Sequence, residues 1–226
     1  MLSAIIVAAG SSQRMGFDKL FALLNDKPVV AHTLLAFENA DCVDEIIIVG
    51  RRDRIGELQE FVSQTGFRKV VQVIVGGEQR QDSVRCGLER VAREANYVAV
   101  HDAARPLVTA NQIARVLSAA QEHGAAALAE PVTDTLKRAD EKGLVTGGVP
   151  REGLFAMQTP QIFQTGLLRA AYQTVAANDL TVTDEVSAVE HHGGKVVVVP
   201  NDDWNLKITY PRDLFLAQSA LSRRSG

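Results

Sequence analysis

The sequence predicts an α/β fold, a mostly parallel sheet covered by helices on both faces. Two observations lead there. Continuous apolar runs such as EIIIV at 45–49 and KVVQVIV at 69–75 suit strands buried on both faces. Segments with helical spacing alternate with them, and such alternation calls for crossover connections and parallel pairing.

The elements follow in order. Residues 4–8 form the first strand, an apolar run that ends in Ala8-Ala9-Gly10-Ser11-Ser12. Residues 28–39 have helical spacing, with Val29, Val30, Thr33, Leu34 and Phe37 toward the core. Residues 45–49 are the second strand, 55–64 a helix and 69–75 the third strand. Residues 81–95 are a helix, apolar at Val84, Leu88 and Val91, and YVAV at 97–100 is the fourth strand. A helix at 110–123 and a short fifth strand at 125–129 come next. KVVVV at 195–199 is a late strand, and 211–221 is the closing helix, with Pro211 in its first turn. Residues 131–155 break the pattern. They hold Gly143, Gly147, Gly148 and Gly153 without a long apolar period, and Leu144-Val145-Thr146 suits a strand of a hairpin. So long an excursion without a helix is usually functional, and it reads as a projecting β-arm.

Composition sets bounds. The chain has 226 residues, 46% hydrophobic and 23% charged, enough for one large domain or two small ones with ample core. A net charge of −3 does not favour general nucleic-acid binding. Cys42 and Cys86 are the only cysteines and form no C-x-x-C, so a reducing compartment is expected. The first apolar run is too short for a signal peptide. No apolar stretch approaches the roughly 20 residues of a membrane span. The expected location is the cytoplasm, away from membranes.

Ligands of such sheets bind beyond the carboxyl ends of the strands, and three motifs lie there. The first is Ala8 to Ser12, followed by Arg14 and Lys19. It is neither a P-loop nor a dinucleotide fingerprint: Gly10 is followed by Gly16-Phe17 and no Gly-Lys pair, and Ser12 stands where the dinucleotide pattern needs Gly. Small residues let a backbone approach an anion closely. An ordinary strand-to-helix turn is the plain alternative, and the two cations beyond the loop favour a nucleoside triphosphate site. The second motif, Gly76-Gly77 to Ser83, permits close approach to a base or ribose, with Ser83 able to bond a base edge; the plain reading is a turn with Asp82 at a helix N-terminus. The third is His101-Asp102-Ala103-Ala104-Arg105-Pro106. A carboxylate at a strand end suits Mg²⁺, which takes one or two carboxylates plus phosphate oxygens. Asp102 is read as a metal or ribose contact, and His101 as a core histidine. Three further segments are weak alone: Thr133 to Arg138 with Arg151 and TPQ at 159–161; Thr183-Asp184-Glu185, where Thr183 suits an N-cap; and Asn205 to Thr209.

Together, HDAARP, the DTLKR run, TPQIF, TDE and NLKIT, in this order, resemble the 2-C-methyl-D-erythritol 4-phosphate cytidylyltransferases of the non-mevalonate isoprenoid pathway, from Ala4 to about Leu216. The resemblance implies a single three-layer α/β/α nucleotidyltransferase-type (Rossmann-like) domain over 1–226, with a dimerisation β-arm at about 131–155. It implies a homodimer with interlocked arms and a Mg²⁺-dependent reaction of CTP with methylerythritol phosphate. By motif, Ala8, Ala9, Gly10 and Ser12 would hold CTP, with Gly76, Gly77, Arg80 and Ser83 around the cytidine. Arg14 and Lys19 match transition-state stabilisers, Asp102 a ribose or metal aspartate, and Arg105 its neighbour in substrate binding. Thr135 and Arg151 match arm residues that hold the sugar phosphate. Thr159, Thr183 and Lys207 match further substrate contacts, Lys207 near the attacking phosphate.

GSSQRMGFDKL alone resembles the molybdenum-cofactor nucleotidyltransferases, but those lack the arm and its DTLKR run. A cytidylyltransferase acting on ribitol 5-phosphate or another polyol phosphate is the nearest enzymatic alternative, and the alanines after His101-Asp102 favour the methylerythritol version. A nucleotide-binding module without turnover is the alternative from another class. Arg14, Lys19, Arg151 and Lys207 all being present argues against it.

Overall fold

A computed structural model describes residues 1–10 and 15–224. In chain order it contains β1 (Leu2–Ala8), the two-residue strands β2 (Leu23–Leu24) and β3 (Lys27–Pro28), α1 (Val29–Glu38), β4 (Glu45–Gly50), α2 (Ile55–Thr65) and β5 (Val70–Val75). Next come α3 (Arg80–Leu88), β6 (Tyr97–Asp102), α4 (Ala110–His123), β7 (Ala125–Pro131), β8 (Leu136–Ala139) and β9 (Val145–Val149). The chain closes with β10 (Phe155–Gln164), α5 (Thr165–Ala177), α6 (Glu185–His191), β11 (Val197–Pro200) and α7 (Pro211–Arg224).

The central sheet has seven strands in the order β11-β7-β10-β6-β1-β4-β5. All neighbours pair parallel except β10, which runs antiparallel to both β6 and β7. The alternate faces of β1 explain the layers. Ala4 and Ile6 point to one core with Val30, Leu34 and Phe37 of α1 and Ile113 and Val116 of α4. Ile5 and Val7 point to the other, with Val84 of α3, Leu168 and Tyr172 of α5 and Val189 of α6. Every residue of β1 is buried, so its run is apolar without alternation. Burying a side chain such as Phe37 or Leu34 stabilises by about 1.5–3 kcal/mol. Helix α7 packs through Ala217 and Ala220 on Met15, Leu24 and Ile208 in a third, smaller cluster.

Local signals place the ends. Thr109 and Gln112 exchange hydrogen bonds at the start of α4, and Gly124 ends it at φ 87. The α3 helix stops at Leu88, not at 95 as its apolar spacing suggested. Arg90 N–H turns back to the Gly87 carbonyl, and Ala92 N–H donates to Glu45 Oε1 at 2.9 Å. A tertiary bond to a neighbouring strand end thus replaces the next helical turn. Among the elements not legible in the sequence are β10 and α5. Pro160 lies inside β10, where a proline argues against a central strand; a register shift between Met157 and Gln161 accommodates it. In the excursion at 131–155, β8 and β9 pair as a hairpin from Leu136 to Val149, and its side chains are mostly exposed.

Candidate active site

Strands β1, β4 and β6 point the same way and end together at Ala8, Gly50 and Asp102. A cleft of about 480 Å³ opens over that edge. Val7, Ala8, Ala9 and Gly10 form one wall, and Lys19 stands beside them. Glu78, Gln79 and Arg80 at the start of α3 form another. Asp102 and Ala104 lie beyond β6, while Lys207 and Thr209 come from the segment before α7.

Asp102 is the hub. Its Oδ1 accepts from Arg80 Nε at 3.1 Å and its Oδ2 from Lys207 Nζ at 2.7 Å. Arg105 Nε lies 3.8 Å from Oδ2. Burial acts to raise the Asp102 pKa, but the charges of Arg80, Lys207 and Arg105 outweigh it. The carboxyl is held well below the usual carboxylate range and stays ionised. Arg80 turns its other end to Glu185, Nη1 and Nη2 reaching the two carboxylate oxygens at 2.8 and 3.0 Å. Burial opposes the Arg80 charge, yet Glu185 and Asp102 hold its pKa above the ordinary guanidinium value. Three cations and two carboxylates leave this cluster with one net positive charge, and Lys19 and Glu78 on the cleft walls offset one another. Such a cleft attracts a polyanion.

Behind Asp102 runs a chain of hydrogen bonds that assigns its own directions. Asp102 N–H donates to Thr159 Oγ1 at 3.1 Å. The Thr159 hydroxyl donates to His101 Nδ1 at 3.0 Å, and His101 Nε2 donates to the Arg105 carbonyl at 3.3 Å. Only the tautomer with its proton on Nε2 satisfies both ends. Burial pushes the His101 pKa down to about 3, so the ring stays neutral. Arg105 Nη1 donates to the Asn205 carbonyl at 2.7 Å, and Asn205 Nδ2 returns to the Thr159 carbonyl at 2.8 Å. The network joins the end of β6, the middle of β10 and the segment carrying Lys207.

The structure brings several of the sequence-predicted residues together. Ala8, Ala9, Gly10, Lys19, Arg80, Asp102 and Lys207 line one cleft. Lys19 Nζ donates to the Ile208 carbonyl at 2.8 Å, which fixes it beside Lys207. Ser12 and Arg14 lie outside the described residues. Other residues stand elsewhere. Gly76 and Gly77 face α3: a Cβ on Gly76 would meet Ser83 Oγ at 2.5 Å, and one on Gly77 would meet Asp82 Cβ at 2.3 Å. These glycines let the loop pass close under the helix. Ser83 is buried, its hydroxyl donating to the Gln79 carbonyl at 3.2 Å. Arg105 and Thr159 are buried supports of Asp102 and form no part of the cleft wall. Thr183 is exposed, and the N-cap of α6 is Asp184, whose Oδ1 accepts from Ser187 N–H at 3.0 Å. That corrects Thr183 as the expected cap; Asp184, one residue on, has the extended backbone of an N-cap, and its carboxylate reaches the amide. Thr135 and Arg151 are exposed on the arm side, and Arg151 Nη1 donates to the Thr133 carbonyl.

Glu185 was missed as a site residue. Its place in the first turn of α6 suggested a dipole partner, yet it is fully buried and holds Arg80. No periodicity distinguishes those roles, because the partner lies 105 residues away.

A parallel sheet whose strand ends meet a small-residue loop, a buried aspartate and converging cations defines the nucleotidyltransferase class of α/β/α proteins. Comparison with known proteins narrows it. The family model described as 2-C-methyl-D-erythritol 4-phosphate cytidylyltransferase matches residues 2–223. The protein of that name from Dehalococcoides mccartyi (strain CBDB1) is 41% identical over 223 residues, covering 98% of this chain and 96% of the relative. That of Bacillus cytotoxicus is 42% identical, with 98% of each covered. Among solved structures, the 4-diphosphocytidyl-2C-methyl-D-erythritol synthase of Anaerococcus prevotii superposes with a TM-score of 0.86 at 28% identity, covering 99% of each chain. The cytidylyltransferase of Thermus thermophilus superposes with a TM-score of 0.80 at 32% identity, covering 97% of this chain and 98% of that one. This chain belongs to the 2-C-methyl-D-erythritol 4-phosphate cytidylyltransferase family, and the resemblance read in the sequence is borne out.

Proposed function

We propose that this chain transfers the cytidylyl group of CTP to 2-C-methyl-D-erythritol 4-phosphate, releasing pyrophosphate, in isoprenoid precursor biosynthesis. The observation that carries the reading is the Arg80–Asp102–Lys207 cluster beside the Ala8–Gly10 loop, in a chain of that family.

The chemistry follows from charge. An oxygen of the acceptor phosphate attacks the α-phosphorus of CTP. The new P–O bond forms as the bond to the β-phosphate breaks, and its electron pair leaves with pyrophosphate. The nucleophile is already anionic, so no general base is required. The task is to bring anions together and to stabilise a crowded phosphorus by positioning and electrostatics. Lys19, with Arg14 before it, would meet the α-phosphate and the leaving group. Lys207, held beside Lys19 by the Ile208 contact, would steer the incoming phosphate. The small side chains of Ala8, Ala9 and Gly10 leave backbone N–H groups accessible to phosphate oxygens.

The Asp102 environment fits Mg²⁺. The carboxylate is ionised, its two oxygens offer about four lone-pair sites, and its close partners, Arg80 and Lys207, take only two of them. Among the described residues no group of three or more His, Cys, Asp and Glu gathers for a metal. The donor set suits an ion held by one carboxylate and by substrate phosphates. Bound there, the ion would neutralise phosphate charge.

The arm completes the reading. Thr135 and Arg151 stand outside the cleft of their own chain, which supports a homodimer whose arms reach the partner's site to hold the sugar phosphate. No helix among the described residues is long and apolar enough to cross a membrane. Cys42 and Cys86 are free thiols, in keeping with a reducing cytoplasm.

The test offers CTP, UTP, ATP and GTP with Mg²⁺ and a panel of polyol phosphates, ribitol 5-phosphate included, and follows pyrophosphate. Release confined to CTP with methylerythritol phosphate is expected. Release confined to another acceptor would overturn the reading.

A further inference from the structure

Tyr172 lies on α5 among Leu168, Val175 and Phe163, and only 5% of it is exposed. Its hydroxyl donates to Glu185 Oε1 at 3.0 Å, the same oxygen that accepts from Arg80 Nη1 at 2.8 Å. Burial and the Glu185 charge push its pKa up, so it remains a neutral donor. Beyond Glu185 the line continues through Arg80 to Asp102 Oδ1 in the cleft.

This line has a mechanical consequence. A guanidinium held only through Nε can turn about its own axis. Arg80 is gripped at Nε by Asp102 and at both Nη atoms by Glu185, so three of its five N–H groups are committed and its plane is set. That plane decides how Arg80 faces the cleft and where Asp102 Oδ1 is pinned. Glu185 can set it only if its own carboxylate is fixed, and Tyr172 supplies the donor that does not come from Arg80. A carboxylate group this deep is costly unless fully bonded, so the hydroxyl serves the carboxylate and, through it, the cleft.

We infer that Tyr172 is a positioning residue for nucleotide binding, acting through Glu185 and Arg80 without touching substrate. The inference rests on the CTP reading above. A tyrosine that only satisfies its own hydroxyl in the core would give the same contacts, and binding measurements separate the two.

The test is Tyr172→Phe, which keeps the ring and removes the donor. Calorimetry with CTP and Mg²⁺ is expected to show about fivefold to tenfold weaker binding, part of the worth of one hydrogen bond to a charged group. The KM for the polyol phosphate is expected to stay unchanged. Thr165→Val is the control. It removes a half-buried hydroxyl bonded to the Ala95 carbonyl at 2.7 Å, at the opposite end of the strands. It is expected to lower the melting temperature and leave CTP affinity intact. Glu185→Gln, which gives up one of the two oxygens gripping Arg80, is expected to cost CTP affinity more than Tyr172→Phe does. If it does not fold, Tyr172→Phe still decides. Tyr172→Phe that melts earlier but binds CTP as tightly as wild type would overturn the inference. Wild-type protein that binds CTP but turns over none of the acceptors would count against the proposed function alone, since calorimetry reads Tyr172 without turnover.

Discussion

The floor of the cleft and the projecting arm are built in opposite ways. Asp102 is buried, and its polar atoms meet partners from distant parts of the same chain: Arg80 on α3, Lys207 before α7, Thr159 on β10. Thr135 and Arg151 are exposed, and the bond of Arg151 is to Thr133, within the arm region itself. The floor is preorganised and its groups cost stability when removed. The arm has little to lose in the isolated chain, so its residues are free to serve a ligand or another protomer. The lesson is that one family motif set divides into a part the fold completes and a part it leaves open.

The comparison breaks first at Asp102. Asp102→Ala leaves Arg105 and Lys207 without their carboxylate, and Arg80 with Glu185 alone. An expected loss of about 3–5 kcal/mol in a denaturant melt accompanies a fall in turnover of about 10³ or more, beyond the loss of a single donor. Unchanged stability would mean the floor is less tightly coupled than its hydrogen bonds imply. Lys207→Ala and Lys19→Ala should each lower kcat by about 10²–10³, by analogy with a lost oxyanion-hole donor. Near-normal kcat/KM in either variant removes that residue from the chemistry.

Arg151→Ala sharpens the contrast. A rise of about tenfold or more in the KM for the polyol phosphate is expected, with the melting temperature and CTP affinity unchanged. A large drop in stability would place Arg151 with the floor. A further prediction concerns pH. The folded pKa of His101 is about 3, below the unfolded value of about 6.5. As pH falls below about 6.5 the unfolded chain takes up a proton that the folded chain refuses. Stability therefore declines from there toward pH 3, by up to about 1.4 kcal/mol per pH unit. Asp102 contributes its own loss only below about pH 4, where its unfolded form begins to protonate. His101→Asn should flatten the slope of stability between pH 6.5 and 4; an unaltered slope would show that the ring titrates freely in the fold.

Much of the fold was legible because β1, β4 and β6 are buried on both faces and must read as apolar runs. The antiparallel β10 was not, because its buried Gln158, Thr159 and Gln161 serve a polar network that a one-dimensional pattern presents as a loop. At the site, strand-end residues such as Gly10 and Asp102 were found from position alone. Glu185 was hidden because a carboxylate in the first turn of a helix has a sufficient local explanation. Thr159 and Arg105 were placed at the substrate by their motifs, while the folded chain uses them to hold His101, Asp102 and Asn205 in register.

The division between floor and arm is tested most directly by mixing two impaired variants, Lys207→Ala and Arg151→Ala, after dissociation and reassociation, at low acceptor concentration. If the arm of one protomer completes the floor of its partner, each mixed dimer regains one intact site. Half the dimers being mixed, roughly a quarter of the wild-type rate of pyrophosphate release is expected. A mixture no more active than the average of its two components would contradict the account.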